Sequence, residues 1–206
     1  MRKIFNKLKN MQHNFLEGQR VFFRPYYEDD LNFIFEWFND PVVTHYMFTG
    51  QKPKTKDSIR ETIMQDILSE RNVVFMIVDK NSSETIGTVG LYDIHSTALK
   101  AEMRIIIGNK EYWGKGYGTE ITELITYYGF DRLNLNRIYL GVTGENKGGA
   151  RAYQKAGYIF EGILKQDIYR NSQYYDSIRM AILRKEYYEK YYIIHKNKFS
   201  ITYEKK

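Results

Sequence analysis

The sequence predicts a mixed α/β sheet of about seven strands with flanking helices. The chain has 206 residues, 43% of them hydrophobic, which is enough for the core of one domain. The spacing of apolar residues predicts the following elements along the chain: a strand, two helices, three strands, a helix, a strand, a helix and two strands. Because this order is not a regular alternation of strands and helices, we expect a sheet with antiparallel ends.

The first half of the chain predicts one strand, two helices and two strands. The apolar run 20–26 is a strand that Pro25 stops. Residues 28–40 begin with acids, carry apolar residues at helical spacing and end before Pro41, which predicts a helix. A loop follows, and then a helix over 56–70 and strands over 72–80 and 85–94.

The second half continues with strands and helices in alternation and ends in a hairpin. A strand over 99–109 precedes a glycine-rich stretch, and a strongly amphipathic helix over 119–133 follows it. The remaining predicted elements are a strand over 136–144, a short helix over 149–157 and two strands over 158–170 and 174–183.

The charge distribution argues against some classes of partner. The formal net charge is +6, but residues 1–16 carry four basic groups and no acid, and residues 184–206 carry seven basic and three acidic groups. The body, 17–183, therefore has a net charge of −2, which disfavours nucleic acid as a partner. No run approaches the roughly eighteen apolar residues of a membrane span, so we expect no membrane partner and a cytoplasmic protein.

The sequence also predicts no metal site. The chain has no cysteine, and its four histidines lie far apart, without the spacing of a metal-binding motif.

The stretch YWGKGYG (112–118) places three glycines between a strand and a helix. Backbone N–H groups at the start of a helix lack intrahelical partners and carry the positive end of the helix dipole. Gly114, Gly116 and Gly118 would let an anion come close to several of these groups, and Lys115 could add a charge. A flexible turn explains the glycines equally well, and the spacing is neither a P-loop nor a dinucleotide fingerprint.

Two motifs resemble the GNAT superfamily of acyl-CoA-dependent N-acetyltransferases. The stretch 113–118 is similar to the family's pyrophosphate motif [Q/R]-x-x-G-x-[G/A], with Trp113 where Gln or Arg is usual. The stretch ENKGGARAYQKAGY (145–158) is similar to ENxxAxxxYxKxGF. The resemblance covers about 20–190 and includes the ribosomal-protein and spermidine N-acetyltransferase branches.

The resemblance implies the GNAT fold, with acetyl-CoA bound as co-substrate in a splay between two central parallel strands and no metal. Pantetheine would add to the exposed strand edge as a peptide does in β-augmentation. The implied cofactor-binding residues are Ile105, Ile106, Ile107, Trp113, Gly114, Lys115, Gly116, Tyr117, Gly118, Thr119, Asn146, Ala150, Arg151, Tyr153 and Lys155.

The resemblance also implies the chemistry. Tyr153 matches the tyrosine that protonates the leaving thiolate, and packing or cofactor contact is the alternative role for it. Glu102 falls where relatives often carry a carboxylate that deprotonates the amine, and it could equally be a solvated partner of Arg104. A backbone N–H near Ile106 would polarise the thioester carbonyl.

The sequence leaves the acceptor open. The resemblance points to the neighbourhoods of Trp37, Tyr46, Phe48, Tyr169 and Tyr175, where aromatic rings could bind an acceptor or simply pack. Protein N-termini, polyamines, amino sugars and aminoglycosides remain candidates, and the acids at 28–30, 36 and 40 could attract a polyamine. The alternative function is a non-catalytic module that senses or scaffolds acyl-CoA.

The expected organisation is a basic leader over 1–16, the N-acetyltransferase domain over 17–185 and a basic aromatic extension over 186–206. Apolar residues of the leader fall near helical spacing, which predicts a docking helix or a frayed end. The extension is rich in aromatic and β-forming residues. One hypothesis is that it adds a strand to the sheet of a second copy and makes a homodimer.

Overall fold

The computed structural model describes residues 14–48 and 50–201 and contains one open sheet flanked by helices. Its strands are β1 (Leu16–Glu17), β2 (Val21–Arg24), β3 (Val73–Asp79), β4 (Thr85–His95), β5 (Lys100–Ile107), β6 (Arg137–Thr143), β7 (Ile159–Arg170), β8 (Gln173–Leu183) and β9 (Ser200–Ile201). Its α-helices are α1 (Leu31–Asn39), α2 (Lys56–Leu68), α3 (Tyr117–Asp131), α4 (Lys147–Lys155), α5 (Arg184–Lys190) and α6 (Tyr192–Lys198).

The predicted fold class is confirmed, and the sheet has more strands than expected. In the described residues nine strands lie in the order β7-β8-β6-β5-β4-β3-β2-β1-β9, where about seven were predicted. The difference comes from β1 and β9, which contain two residues each and are too short to give a periodic signal. The order of strands and helices from β2 to β8 is the predicted one.

The parallel pair β5–β6 separates along its length. The two strands pair from Lys100–Arg137 to Glu102–Tyr139. Beyond that point β5 continues to pair with β4 as far as Ile107, and β6 continues to pair with β8 as far as Thr143. The sheet therefore opens into a wedge at the carboxyl ends of these two strands.

Each face of the sheet has its own hydrophobic cluster. The larger one contains α3, whose Ile121, Leu124 and Ile125 are fully buried. The smaller one lies beneath α1 and α2 and contains Met76, whose neighbours Phe75 and Ile77 in β3 belong to the larger cluster. Because successive side chains of a strand point to opposite faces, the clusters lie on opposite sides of the sheet.

The C-terminal extension folds back onto the larger cluster. Although the extension is rich in β-forming residues, most of residues 184–198 form the helices α5 and α6. Tyr187 and Phe199 are buried in the larger cluster, and β9 pairs with β1 of the same sheet. The hypothesis of a homodimer and the predicted domain boundaries stay predictions, and residues 1–13 of the expected leader lie outside the described residues.

His195 is buried where the C-terminal extension packs against the larger cluster, so this packing should weaken when acid protonates the imidazole. It is 2% exposed, its Nδ1 lies 3.0 Å from the hydroxyl of Tyr187, and burial lowers its pKa to about 4, with a further contribution from Lys198. Glu123 Oε1, 4.0 Å from its Nε2, favours the charged imidazole, but Lys198 pairs with Glu123 and burial outweighs this attraction.

We therefore expect the protein to lose stability as the pH falls from about 6.5 to about 4. An unfolded histidine binds its proton near pH 6.5, whereas the buried one resists protonation, so the stabilising contribution is complete above that window. The loss is on the order of 3 kcal/mol. Urea unfolding across this range measures it. His195→Gln should flatten the dependence and His45→Gln, at an exposed position, should not; equal curves for all three proteins would contradict the assignment.

Candidate active site

The glycine-rich stretch forms the start of α3 and leaves its first turn open. Gly116 is the N-cap in the left-handed conformation with φ 84°, and Gly114 has φ 70°. The N-cap has no side chain to cover the N–H groups of Tyr117, Gly118 and Thr119. Exposed glycines beside the positive end of a fifteen-residue helix fit a pyrophosphate.

An ion pair between a half-exposed arginine and a buried glutamate, which the sequence analysis missed, fixes the position of this loop. Arg20 Nε donates to Glu120 Oε2 at 2.7 Å, and its backbone N–H donates to Glu120 Oε1, also at 2.7 Å. Arg20 Nη1 donates to the carbonyl of Lys115 at 2.8 Å. Glu120 is 3% exposed, so the pair connects the start of α3 to the chain just before β2.

Two of the loop's three aromatic side chains, Trp113 and Tyr117, also attach it to the rest of the protein. Tyr117 is buried and donates to Asp79 Oδ1 at 2.8 Å, and burial together with this bond raises its pKa to about 12. Trp113 Nε1 donates to the carbonyl of Ile107 at 2.7 Å. Trp113 therefore connects the loop to the end of β5, and Tyr117 has its backbone N–H available to a ligand.

The open edge of β5 presents alternate peptide groups to the wedge. The N–H of Gly108 donates to Ile86 in β4, and the carbonyl of Leu99 accepts from Asn136 just before β6. Because peptide groups alternate in direction along a strand, those of Ile105 and Ile107 point toward β6 and that of Ile106 points toward β4. We expected a backbone N–H near Ile106 to polarise the thioester carbonyl. In this geometry that N–H would belong to Ile105 or to Ile107.

Helix α4 forms the other wall of the wedge. Asn146 is its N-cap and accepts from the N–H of Gly149 at 2.8 Å, so its side chain holds the helix start. Gly118 faces α4, since a Cβ there would lie 3.6 Å from Ala152. Ala150 packs against the larger cluster, while the predicted cofactor residues Arg151 and Lys155 are exposed.

Tyr153 lies on α4 with the environment of a proton donor. Its ring packs against the larger cluster, 6.5 Å from the ring of Tyr158, and burial raises its pKa to about 12. Within residues 14–48 and 50–201 its hydroxyl has no hydrogen-bond partner. A tyrosine with this pKa is protonated at neutral pH and keeps its proton until an acceptor is present.

Glu102 is held by two arginines. Arg104 donates to its Oε2 at 2.6 Å, and Arg179 Nη1 lies 3.9 Å from its Oε1. It lines a cavity of about 500 Å³ together with Tyr139, Arg179 and residues of β7. Both oxygens of the Glu102 carboxylate therefore already lie next to an arginine.

The predicted acceptor residues fall into two groups. Trp37 is buried in the smaller cluster, against Gly108 at the end of β5, and so occupies a packing position. Tyr46 and Tyr169 are exposed, and the loop containing Tyr46 meets the end of β6, where Thr143 Oγ1 donates to the Tyr46 carbonyl at 2.9 Å. This loop also meets the β7–β8 hairpin, where Gln51 Nε2 donates to the Tyr169 carbonyl at 3.4 Å. We call the region where the loop, the end of β6 and the hairpin meet the acceptor groove, after the role predicted for its residues.

A parallel pair that separates beside a glycine-capped helix is the arrangement that the resemblance to acyl-CoA-dependent N-acetyltransferases implied. Residues 20–159 match the family described as Acetyltransferase (GNAT) domain. The chain belongs to this family and is an N-acetyltransferase with acetyl-CoA as its donor.

Individual relatives are similar over most of their length. The spermidine N(1)-acetyltransferase of Escherichia coli K12 is 32% identical over 164 residues, which are 80% of this chain and 86% of that protein. A putative ribosomal N-acetyltransferase of Bacillus subtilis is 25% identical over 72% of this chain and 82% of that protein. The solved spermidine N-acetyltransferase of Vibrio cholerae, in complex with CoA and spermine, has a TM-score of 0.75 at 30% identity and covers 82% of this chain and 98% of its own.

The described part of the chain has neither a metal-binding cluster nor a membrane-spanning helix. It holds no group of three or more His, Asp or Glu side chains placed to bind a metal ion. None of its helices has the length and hydropathy needed to span a membrane.

Proposed function

We propose that the chain transfers an acetyl group to a primary amine of a protein N-terminus, a polyamine or an amino sugar by direct attack. The observation that carries the proposal is the wedge between β5 and β6, which opens beside the bare start of α3. Acetyl-CoA supplies a thioester. The amine nitrogen bonds to its carbonyl carbon and gives up one proton, the carbon–sulfur bond breaks and the sulfur gains a proton. In net one proton passes from nitrogen to sulfur, so a tyrosine that protonates the sulfur is restored by the proton that the nitrogen loses.

The residues of the wedge suit each part of this reaction. A backbone N–H of Ile105 or Ile107 would donate to the carbonyl oxygen as negative charge develops on it. The hydroxyl of Tyr153 would give its proton to the departing sulfur. The N–H groups at the start of α3 would hold the diphosphate end of the donor, and the Arg20–Glu120 pair would keep these groups in position.

An acetyl-transfer assay tests the proposal directly. Purified protein and acetyl-CoA are mixed with spermidine, glucosamine or a short peptide beginning with Ala or Ser, and free thiol is measured. We expect acceptor-dependent thiol release with at least one amine and the matching acetylated product by mass spectrometry. Binding of acetyl-CoA without release by any amine would favour the acyl-CoA sensor instead.

The ion pairs of Glu102 predict a supporting role rather than that of the general base. We infer that Glu102 orders water near the amine, and we expect Glu102→Gln to lower kcat/KM by less than about tenfold at neutral pH. Removing a general base costs about a hundredfold or more. Glu161→Gln is the matched control, because Glu161 lines the same cavity and pairs with Arg137. A loss above a hundredfold that shrinks at alkaline pH would assign the base to Glu102.

A further inference from the structure

Arg170 is a buried arginine in the acceptor groove that the described contacts leave partly unsatisfied. It is 6% exposed, and its guanidinium carbon lies 4.7 Å from the ring centre of Tyr175 and 5.8 Å from that of Tyr46. Its Nη2 donates to Glu145 Oε2 at 3.2 Å. Its Nε and Nη1 are buried and have no partner among the described residues.

A second polar group on the same strand pair is also unsatisfied. Ser177 is fully buried, and its Oγ has no hydrogen-bond partner in the part of the chain that the structure describes. Tyr175 and Ser177 alternate along β8 onto one face, and the guanidinium of Arg170 lies over Tyr175 on that face. Ser177 pairs with Thr143 at the open end of β6. Both unsatisfied groups are therefore on the groove side of the hairpin.

Buried polar groups are nearly always hydrogen-bonded. Several buried donors without a partner in one region therefore indicate that a ligand supplies the oxygen atoms that accept their hydrogen bonds. A guanidinium is suited to a carboxylate or a phosphate, because its N–H groups match two oxygens at once. Glu145 is half exposed and contacts only one nitrogen, which leaves the rest of the donor set unused. An anionic group is the ligand chemistry that this set fits.

Three of the five acids that suggested a polyamine form ion pairs with basic side chains of this chain. Glu28 pairs with Arg60, and Asp40 pairs with Lys110. Asp30 is buried in a bidentate pair with Arg24. A polyamine would thus bring several positive charges toward a buried arginine, with few free carboxylates to receive them.

We propose that Arg170 binds an oxyanion on the acceptor, so that the preferred substrate is an amine carrying a carboxylate or a phosphate. The proposal rests on the acetyl-transfer function and narrows its acceptor class. Tyr46 and Tyr175 cover the guanidinium in this structure, and Tyr46, which is exposed on the loop between α1 and α2, is the ring that must move for the anion to reach it.

Four amines on the same carbon chain test this acceptor class: γ-aminobutyrate, aminobutyl phosphate, aminobutanol and putrescine. Acetyl-CoA and dephospho-CoA affinities are measured beside kcat/KM for each amine. The proteins compared are the full chain, Arg170→Met, Arg170→Lys and, as a control, Arg71→Met, which removes an exposed arginine paired with Asp93.

We expect one of the two anionic amines to exceed putrescine in kcat/KM by about tenfold or more, the factor that a charged hydrogen bond provides. Arg170→Met should remove this preference, Arg170→Lys should restore part of it, and neither should change acetyl-CoA affinity. A preference for putrescine, a preference that Arg170→Met leaves intact, or no transfer to either anionic amine would overturn the proposal.

One other source of an oxyanion is the cofactor itself. If Arg170→Met weakens acetyl-CoA but not dephospho-CoA, then Arg170 binds the ribose phosphate of the donor and the acceptor assignment is overturned. A different result would show that the proposed acetyl transfer itself is wrong. In that case the unaltered protein would fail to bind acetyl-CoA or to release thiol with any amine.

Discussion

Replacing Tyr153 with Phe is expected to lower kcat by about a hundredfold or more while acetyl-CoA affinity changes by less than about threefold. The hydroxyl has no partner in the described residues and its pKa is raised to about 12, so it contributes little to binding and is available to protonate a leaving thiolate. Steady-state turnover and calorimetric titration with acetyl-CoA measure the two quantities separately.

The pH profile and a neighbouring tyrosine sharpen this test. Tyr153 stays protonated past the usual tyrosine pKa of about 10, so kcat should not fall between about pH 8 and about pH 10 through loss of this proton. Tyr158→Phe is the matched control, because its buried hydroxyl bonds to Thr126 Oγ1 at 2.8 Å and should affect stability rather than turnover. Equal losses of turnover and affinity on Tyr153→Phe would make Tyr153 a packing residue.

The features that could be predicted from the sequence depend on local signals. Helix α3 was predicted from the helical spacing of its apolar residues and begins two residues earlier than expected, after Gly116, which adopts a left-handed conformation that glycine tolerates. The separation of β5 from β6 followed from the motif resemblance rather than from their residues, since the isoleucines at 105–107 would suit any buried strand. Whether the predicted site residues bind acetyl-CoA is still a prediction.

The features that were missed depend on contacts distant in sequence. Arg20 and Glu120 are one hundred residues apart, and no pattern in the sequence around either residue predicts that they pair. Arg170 looks like an ordinary charge in a hairpin until the rings of Tyr46 and Tyr175 bury it. The β propensity of the extension was overridden because Tyr187 gains a buried position in the larger cluster from a helix.

Substituting Glu for Gly116 is expected to weaken acetyl-CoA binding by a hundredfold or more, on the order of 3 kcal/mol. Two effects combine. A residue with a Cβ is strained at φ 84° by about 1–2 kcal/mol, and a carboxylate at this position repels a pyrophosphate. The new side chain would also start 3.5 Å from Arg20 Nη2 and compete for the guanidinium that holds the carbonyl of Lys115.

Two alanine variants separate these effects in the same calorimetric titration. Gly116→Ala introduces the strain without the charge, so it should cost no more than about thirtyfold in affinity. Gly162→Ala adds a methyl group where nothing lies within 4 Å and should leave the affinity unchanged. If Gly116→Glu binds acetyl-CoA as tightly as Gly116→Ala, the pyrophosphate does not approach the start of α3, and the glycines only allow the chain to turn from β5 into the helix.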